Sequence, residues 1–128
     1  MARAVLDASA VVAVLRGEPG ADFLVNYAGD SLISAVNLQE VIKAMLVHGY
    51  AAEIVREMLD QLELDVQAHE SEDAWGAADL FEPTRAKGSG LGDRTCMALA
   101  IKEGLPAITT DKAWAELAIP GLTVILAR

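Results

Sequence analysis

Residues 4–12 read Ala-Val-Leu-Asp-Ala-Ser-Ala-Val-Val, a short apolar run that leads through an aspartate into a helical pattern. Three consecutive apolar residues ahead of a polar one are typical of a buried strand, and Ser9 is predicted to cap the helix that follows. A strand that passes directly into a helix is half of a β–α–β unit, whose strands lie parallel. The stretch therefore predicts an α/β fold with Asp7 at the carboxyl end of the first strand.

The rest of the chain repeats this alternation of short apolar runs with longer helical segments. Further strands are predicted at 31–33, 64–66, 106–109 and 122–125. Helices are predicted at 21–27, at 35–47 after a Ser34 cap, at 51–62, 71–81 and 93–103, and around Trp114. The segment 83–92 holds three glycines and is predicted to be a loop, either a plain connector or a flap over the site. A chain of 128 residues with this pattern predicts one domain.

The composition restricts the function more than the fold. The net charge is −9, from 10 Lys and Arg against 19 Asp and Glu, whereas proteins that bind nucleic acid nonspecifically usually carry a basic face. If the substrate is nucleic acid, a bound metal ion is the obvious source of positive charge. The single cysteine, Cys96, permits no internal disulfide, and no apolar run approaches the roughly 20 residues of a membrane span. A cytoplasmic protein without a membrane segment is predicted.

Four acidic residues follow predicted strands or lie in the first turns of the helices after them: Asp7, Glu40, Asp93 and Asp111. Ligands of parallel sheets bind outside the carboxyl ends of the strands, so these side chains are expected at one edge. Spacing along their helices places Asp93 with Cys96 and Met97, and Glu40 with Val36 and Ala44, on packed faces. Carboxylates gathered in this way need protons or a cation, and oxygen ligands suit Mg²⁺ or Mn²⁺. Such a site is typical of a phosphodiester hydrolase.

Each acid also has a purely structural interpretation. Asp7 and Asp111 could cap helices, Asp93 could favour the helix dipole, and Glu40 could be a solvated helix residue. The chain would then be a binding module with an acidic pocket and no catalysis. A receiver-type phosphoacceptor centred on Asp7 is a further alternative. It fits poorly because Lys112, the candidate lysine, belongs to a helix start rather than a strand end.

Four segments, in this order, resemble motifs of one protein family: Val-Leu-Asp-Ala-Ser-Ala at 5–10, Ile-Ser-Ala-Val-Asn-Leu-Gln-Glu-Val at 33–41, Leu-Gly-Asp-Arg-Thr-Cys-Met-Ala-Leu-Ala at 91–100, and Ala-Ile-Thr-Thr-Asp-Lys-Ala-Trp at 107–114. They are similar to the opening strand with Asp-x-Ser, the Ser-to-Glu helix start, the third acid motif and the Thr-x-Asp strand end of the PIN-domain family. Within it, they resemble the VapC-like toxins of toxin–antitoxin pairs.

The resemblance implies a three-layer α/β/α sandwich with a central parallel sheet of four to five short strands. It implies an endoribonuclease that depends on Mg²⁺ or Mn²⁺ and hydrolyses single-stranded or structured RNA, with the four acids around the metal. Ser9 and Thr109 would orient Asp7 or a bound water. The implied partners are a cognate VapB-like antitoxin and a second copy in a homodimer. A PIN-fold nuclease that processes RNA outside a toxin pair stays open as an alternative.

The remaining polar and aromatic residues of interest carry two interpretations each. Arg94 and Lys112 could contact a substrate phosphate, or could be solvated cations that offset the nearby acids. Cys96 is expected to be a small buried hydrophobe. Trp75 and Trp114 are expected in the core or at an interface rather than as platforms for base stacking.

Overall fold

In the computed structural model, which describes residues 1–27 and 29–128, five short strands form one parallel sheet. The strands are β1 (Ala4–Leu6), β2 (Ser31–Ser34), β3 (Asp65–Gln67), β4 (Ala107–Thr109) and β5 (Val124–Leu126), in the spatial order β3-β2-β1-β4-β5. The chain leaves β1 for a neighbour on one side and later returns to its other side. A crevice therefore opens at the carboxyl ends of β1 and β4, where the strand order reverses.

Helices cover both faces of the sheet, which confirms the predicted three-layer sandwich. They are α1 (Ala8–Arg16), α2 (Ala21–Val25), α3 (Ala35–Val47), α4 (Ala52–Leu62), α5 (Ser71–Ala78), α6 (Phe81–Thr84) and α7 (Leu91–Glu103), with 3-10 helices at Arg85–Lys87 and Lys112–Glu116. None of these helices, within the described residues, is long and apolar enough to cross a bilayer.

The alternation of side chains along β1 divides the core in two. Successive strand residues point to opposite faces, so Leu6 joins the cluster under α1 to α4, whereas Val5 joins the cluster under α7. Trp114 is 1% exposed in the second cluster, and Cys96 is fully buried there, so both are core residues as predicted. Burial on both faces stabilises a strand as short as the three residues of β1.

The helix start after β1 differs from the prediction. Helix α1 begins at Ala8 with Asp7 in the capping position, although the Asp7 side chain makes no capping hydrogen bond. Ser9 lies in the first turn, so the prediction that it caps the helix was wrong. By contrast, Ser34 caps α3 as expected, because its hydroxyl accepts a hydrogen bond from the Asn37 N–H at 3.1 Å.

The segment predicted as a loop at 83–92 is largely helical. Helix α6 and the 3-10 helix at Arg85–Lys87 occupy its first half, and α7 begins at Leu91, two residues before the predicted start. Pro83 is tolerated because the first turn of a helix does not need its missing N–H. Thr84 is fully buried and donates its hydroxyl proton to the Leu80 carbonyl at 2.6 Å, which anchors the segment.

Candidate active site

Asp7 is the buried acid of the crevice. Its side chain lies directly after β1 and is only 5% exposed. Its Oδ2 accepts hydrogen bonds from the hydroxyls of Thr109 at 2.8 Å and Ser9 at 2.9 Å. The structure therefore brings Thr109 to Asp7 and Ser9, from which it is separated by 102 and 100 positions in the sequence. A carboxylate held by two hydroxyls has a fixed orientation.

The two hydroxyls are themselves oriented by backbone N–H groups. The Thr110 N–H donates to the Ser9 Oγ, and the Asp111 N–H donates to the Thr109 Oγ1, each at 3.1 Å. Because a backbone N–H can only donate, each hydroxyl accepts there and is left to give its proton to Asp7. The turn after β4 is thus tied to Asp7 by a continuous hydrogen-bond network.

The surroundings of Asp7 disfavour its charge. Burial raises the pKa of Asp7 from 3.8 to about 6, although the hydrogen bonds from Thr109 and Ser9 oppose this, and the nearby Asp93 carboxylate raises the pKa further. Any cation that approaches such a carboxyl group stabilises its charged form. The environment of Asp7 therefore fits a metal ligand better than a passive helix cap.

Replacing Thr109 by valine tests this network. Thr109→Val keeps the shape of the side chain but removes the hydroxyl that donates a hydrogen bond to the buried Asp7 carboxylate. A hydrogen bond to a charged group contributes about 2 kcal/mol to stability. We expect the free energy of unfolding to fall by about that amount at pH 7 without metal, as measured by urea denaturation. Thr110→Val is the matched control, because Thr110 enters the network through its backbone N–H. Equal losses in both variants would contradict the assignment.

Glu40 projects from α3 towards the start of α7. The residue is exposed, but its Oε1 accepts a hydrogen bond from the Asn37 side-chain amide at 2.8 Å. The same amide nitrogen donates to the Gly92 carbonyl at 2.9 Å. A Cβ at Gly92 would overlap both carboxylate oxygens of Glu40. The prediction that Glu40 faces the packed side holds for its carboxylate, not for the residue as a whole.

Asp93 and Asp111 each accept a hydrogen bond from a nearby backbone N–H. Asp93 is partly buried in the first turn of α7, and its Oδ2 accepts from the Gly90 N–H at 2.9 Å. Asp111 is exposed and caps the 3-10 helix at Lys112–Glu116, where its Oδ1 accepts from the Ala113 N–H at 3.0 Å. Both acids therefore stabilise the start of a helix, but this role uses only one oxygen of each carboxylate.

Three of the acids lie near enough to one buried thiol to affect its pKa. Burial raises the pKa of Cys96 well above its usual value, and the carboxylates of Asp7, Asp93 and Glu40 raise it further. Within residues 1–27 and 29–128, however, no three His, Cys, Asp or Glu side chains lie close enough together to ligate one ion directly. Mg²⁺ in proteins usually binds one or two carboxylates and keeps several waters, so this all-oxygen donor set fits such an ion.

The cations named in the sequence directly follow two of the acids in the chain. Arg94 donates to the Ser89 carbonyl at 2.7 Å, and its guanidinium lies 5.7 Å from the centre of the Phe81 ring. Lys112 is exposed at the start of its 3-10 helix. Trp75 is 70% exposed, which excludes the core position of the two that were predicted, and its place at an interface stays a prediction.

An open cavity of about 510 Å³ adjoins the acids on the α1 and α3 side. Ser9, Glu40 and Thr110 belong to its lining, and so do the cationic side chains of Lys43 and Arg128. Glu18 also lines the cavity, and Arg128 lies 3.8 Å from its Oε1 and donates to the Pro19 carbonyl at 3.0 Å. Lys43 is the lining cation without an ion pair among the described residues, and it suits a group with negative charge such as a phosphate.

Two residues that hold the site were not identified from the sequence, Asn37 and Gly92. The available signal was an amide three residues before Glu40, which shares its helix face. A glycine inside the third acid motif was a second signal, because glycine is unfavourable within a helix.

Comparison with models of known protein families shows to which family the chain belongs. A family model of the PIN domain matches residues 4–120, a range that includes all four acids. The chain belongs to the PIN domain family. PIN domains are generally nucleases that depend on divalent metal ions. The roles of the four acids in this PIN domain stay predictions.

Solved structures share the fold of this PIN domain at low sequence identity. A toxin–antitoxin complex from Klebsiella pneumoniae is 22% identical with a TM-score of 0.75, and 98% of each chain is covered. DNA-bound VapBC from Salmonella typhimurium is 18% identical with a TM-score of 0.73 over the whole of both chains. A VapBC-family toxin–antitoxin system from Mycobacterium tuberculosis is 22% identical with a TM-score of 0.64, covering 98% of this chain and 99% of the other. A search of curated proteins gives no match.

Proposed function

We propose that this PIN domain is an endoribonuclease that depends on Mg²⁺ or Mn²⁺ and is the toxin of a toxin–antitoxin pair. One observation carries the nuclease proposal. Asp7 is a buried carboxylate at the point where the strand order reverses, with its pKa raised to about 6 and with Asp93 close enough to raise it. Such a group is stabilised when a cation arrives, and the cavity beside it suits a phosphate.

Four carboxylates are proposed to surround the ion, one or two of them as direct ligands and the others through waters that the ion keeps: Asp7, Glu40, Asp93 and Asp111. When bound, the ion would stabilise charge on the phosphodiester and make a water more acidic. Ser9 and Thr109 keep Asp7 in one orientation through the hydrogen bonds described above. Glu40 and Asp111 are exposed residues, and each keeps one carboxylate oxygen without a hydrogen bond among the described residues. An attacking water can therefore reach this oxygen and pass its proton to it. The water oxygen attacks phosphorus, and the bond to the leaving oxygen breaks.

The charge of the chain limits how RNA is held. With a net charge of −9, the protein has little attraction for a long polyanion, so recognition must be local. Lys43 in the cavity lining is a candidate to contact a phosphate near Glu40, whereas Arg128 is already paired with Glu18. Arg94 and Lys112 stay candidates for further phosphate contacts. This arrangement favours cleavage at a single bound phosphodiester over binding along a duplex.

The toxin role and the partners rest on likeness to complexes. The three structures described above are toxin–antitoxin or VapBC assemblies. We extend this to a cognate VapB-like antitoxin and to a homodimer of this chain in the cytoplasm. The exposed apolar side chains of Trp75, Phe81 and Leu91 offer a surface for a protein contact. An RNA-processing nuclease outside a toxin pair would have the same active site and would lack an antitoxin.

The proposal is tested by cleavage of total cellular RNA, which contains single-stranded and structured targets. We expect cleavage with Mg²⁺ or Mn²⁺ and none with EDTA. Asp93→Asn should reduce the rate on the order of a hundredfold or more, because a carboxylate near the ion loses its charge. The matched control is Glu57→Gln on the exposed face of α4, which should cleave like the wild type.

Two results would contradict the nuclease proposal. Cleavage that survives in both EDTA and Asp93→Asn would place the activity elsewhere. Absence of cleavage, together with thermal stability that Mn²⁺ leaves unchanged, would favour the binding module with an acidic pocket. Co-expression of the gene next to this one, if that gene encodes a DNA-binding protein, should abolish cleavage in a toxin–antitoxin pair and leave it intact in a processing nuclease.

A further inference from the structure

We propose that Asn37 is a positioning residue for Glu40, and that Gly92 is glycine because the Glu40 carboxylate occupies the space of a side chain there. Together these two residues would set the spacing between the acid on α3 and Asp93 on α7. This inference rests on the proposed function, since the position of Glu40 matters to the chemistry only in a metal-dependent nuclease.

The amide of Asn37 has one possible orientation. The side chain is fully buried, and its nitrogen lies 2.8 Å from Glu40 Oε1 and 2.9 Å from the Gly92 carbonyl oxygen. Both partners are acceptors, so the two amide protons must face them. The backbone N–H of Asn37 is bonded separately to Ser34 at 3.1 Å. The side chain therefore links Glu40 to α7 independently of the helix cap.

The amide oxygen of Asn37 indicates that this side chain does more than fill space in the core. Asn37 Oδ1 is buried without a hydrogen-bond partner among the described residues. A buried acceptor left in this way is unfavourable, and an apolar residue of similar size would avoid the cost. What an apolar residue could not supply is the pair of protons to Glu40 and Gly92. The role of Asn37 is therefore to donate the two hydrogen bonds to Glu40 and to the Gly92 carbonyl.

Gly92 has no backbone reason to be glycine. It is the second residue of α7 and does not belong to the glycines with positive φ, so alanine would suit the helix better. A Cβ at this position would, however, overlap both oxygens of Glu40. The glycine thus makes room for the carboxylate next to Asp93. Without this contact the long Glu40 side chain would be free to sample several rotamers in solvent.

A double-mutant cycle separates positioning from stability. We would measure Mn²⁺ affinity by calorimetry, together with RNA cleavage and thermal unfolding, for wild type, Asn37→Ala, Glu40→Ala and the double variant. Loss of a residue that orients a ligand typically costs about 10- to 100-fold in metal affinity or activity. We expect such a loss for Asn37→Ala in the wild-type background and none when Glu40 is already alanine. Any loss of thermal stability should appear in both backgrounds.

Gly92→Ala provides a second variant that leaves Asn37 intact and retains the helix. We expect it to lower Mn²⁺ affinity and cleavage as Asn37→Ala does, with no further effect in the Glu40→Ala background. Gly76→Ala in α5 is the control, because its Cβ would meet no atom within 4 Å. If Asn37→Ala does not fold, the Gly92 pair completes the test alone.

The possible outcomes separate a failure of the positioning role from a failure of the proposed nuclease function. If the wild type binds Mn²⁺ and cleaves RNA, but Asn37→Ala and Gly92→Ala match it, the positioning role is wrong and the nuclease stands. The same holds if their losses persist in the Glu40→Ala background. If the wild type neither binds Mn²⁺ nor cleaves RNA, both the inference and the proposed function are overturned.

Discussion

Asp7→Asn is expected to abolish RNA cleavage while leaving the protein at least as stable as the wild type at pH 7. The oxygen of asparagine can still accept the hydrogen bonds of Thr109 and Ser9, so the local geometry is retained. The charge that would attract the ion is lost, and metal ions contribute several kcal/mol to such reactions, which corresponds to a rate loss on the order of a thousandfold. Burial of an amide in place of a desolvated carboxylate should not weaken the fold.

The measurement combines cleavage rates in Mn²⁺ with urea denaturation of the same preparations. Asp65→Asn at the exposed edge strand β3 is the matched control, and it should leave cleavage unchanged. Cleavage by Asp7→Asn at a tenth of the wild-type rate or more would remove Asp7 from the metal site. Loss of both cleavage and stability would mean that the charge of Asp7 holds the fold together, contrary to its raised pKa.

The second large effect is a fall in stability with rising pH in the absence of metal. The pKa of Asp7 is about 6 in the folded protein and 3.8 when unperturbed, so the folded state binds the proton more tightly. This contribution is fully present below pH 3.8 and is lost as the pH rises through about 6. Since one pKa unit corresponds to about 1.4 kcal/mol, the loss is about 3 kcal/mol.

The pH dependence is measured as the difference between wild type and Asp7→Asn, from urea denaturation in EDTA between pH 4 and 7.5. Other titrating groups act in both proteins, so the difference reports Asp7. We expect the wild type to lose about 3 kcal/mol relative to the variant across this range, and Mn²⁺ at pH 7 to restore it in the wild type only. A difference that is flat with pH, or that rises, would contradict a desolvated Asp7.

The sequence was sufficient to predict the fold class and the edge of the sheet that carries the acids. Short apolar runs indicated the central strands β1, β2 and β4 because these are buried on both faces, as the division of Val5 and Leu6 between two clusters shows for β1. The acids then followed from position, since the carboxyl ends of parallel strands meet at one edge. The roles assigned to these acids stay predictions until the variants are measured.

Other features depended on contacts that no local pattern contains. The segment 83–92 was predicted to be a loop because of its proline and glycines, whereas burial of Thr84 stabilises helical turns there. Trp75 was assigned to the core or an interface by residue type, but α5 turns it to the surface. Asn37 was not singled out from the sequence, because its partner Gly92 lies 55 positions away.

The overlap between position 92 and the Glu40 carboxylate has a consequence for how such a domain can change. Positions 40 and 92 share one volume, so a substitution at either is constrained by the other. A shorter acid at position 40 would vacate that volume and permit alanine at position 92, whereas alanine at position 92 alone would push the exposed Glu40 carboxylate aside. Redesign that keeps this carboxylate in place must therefore keep glycine at position 92.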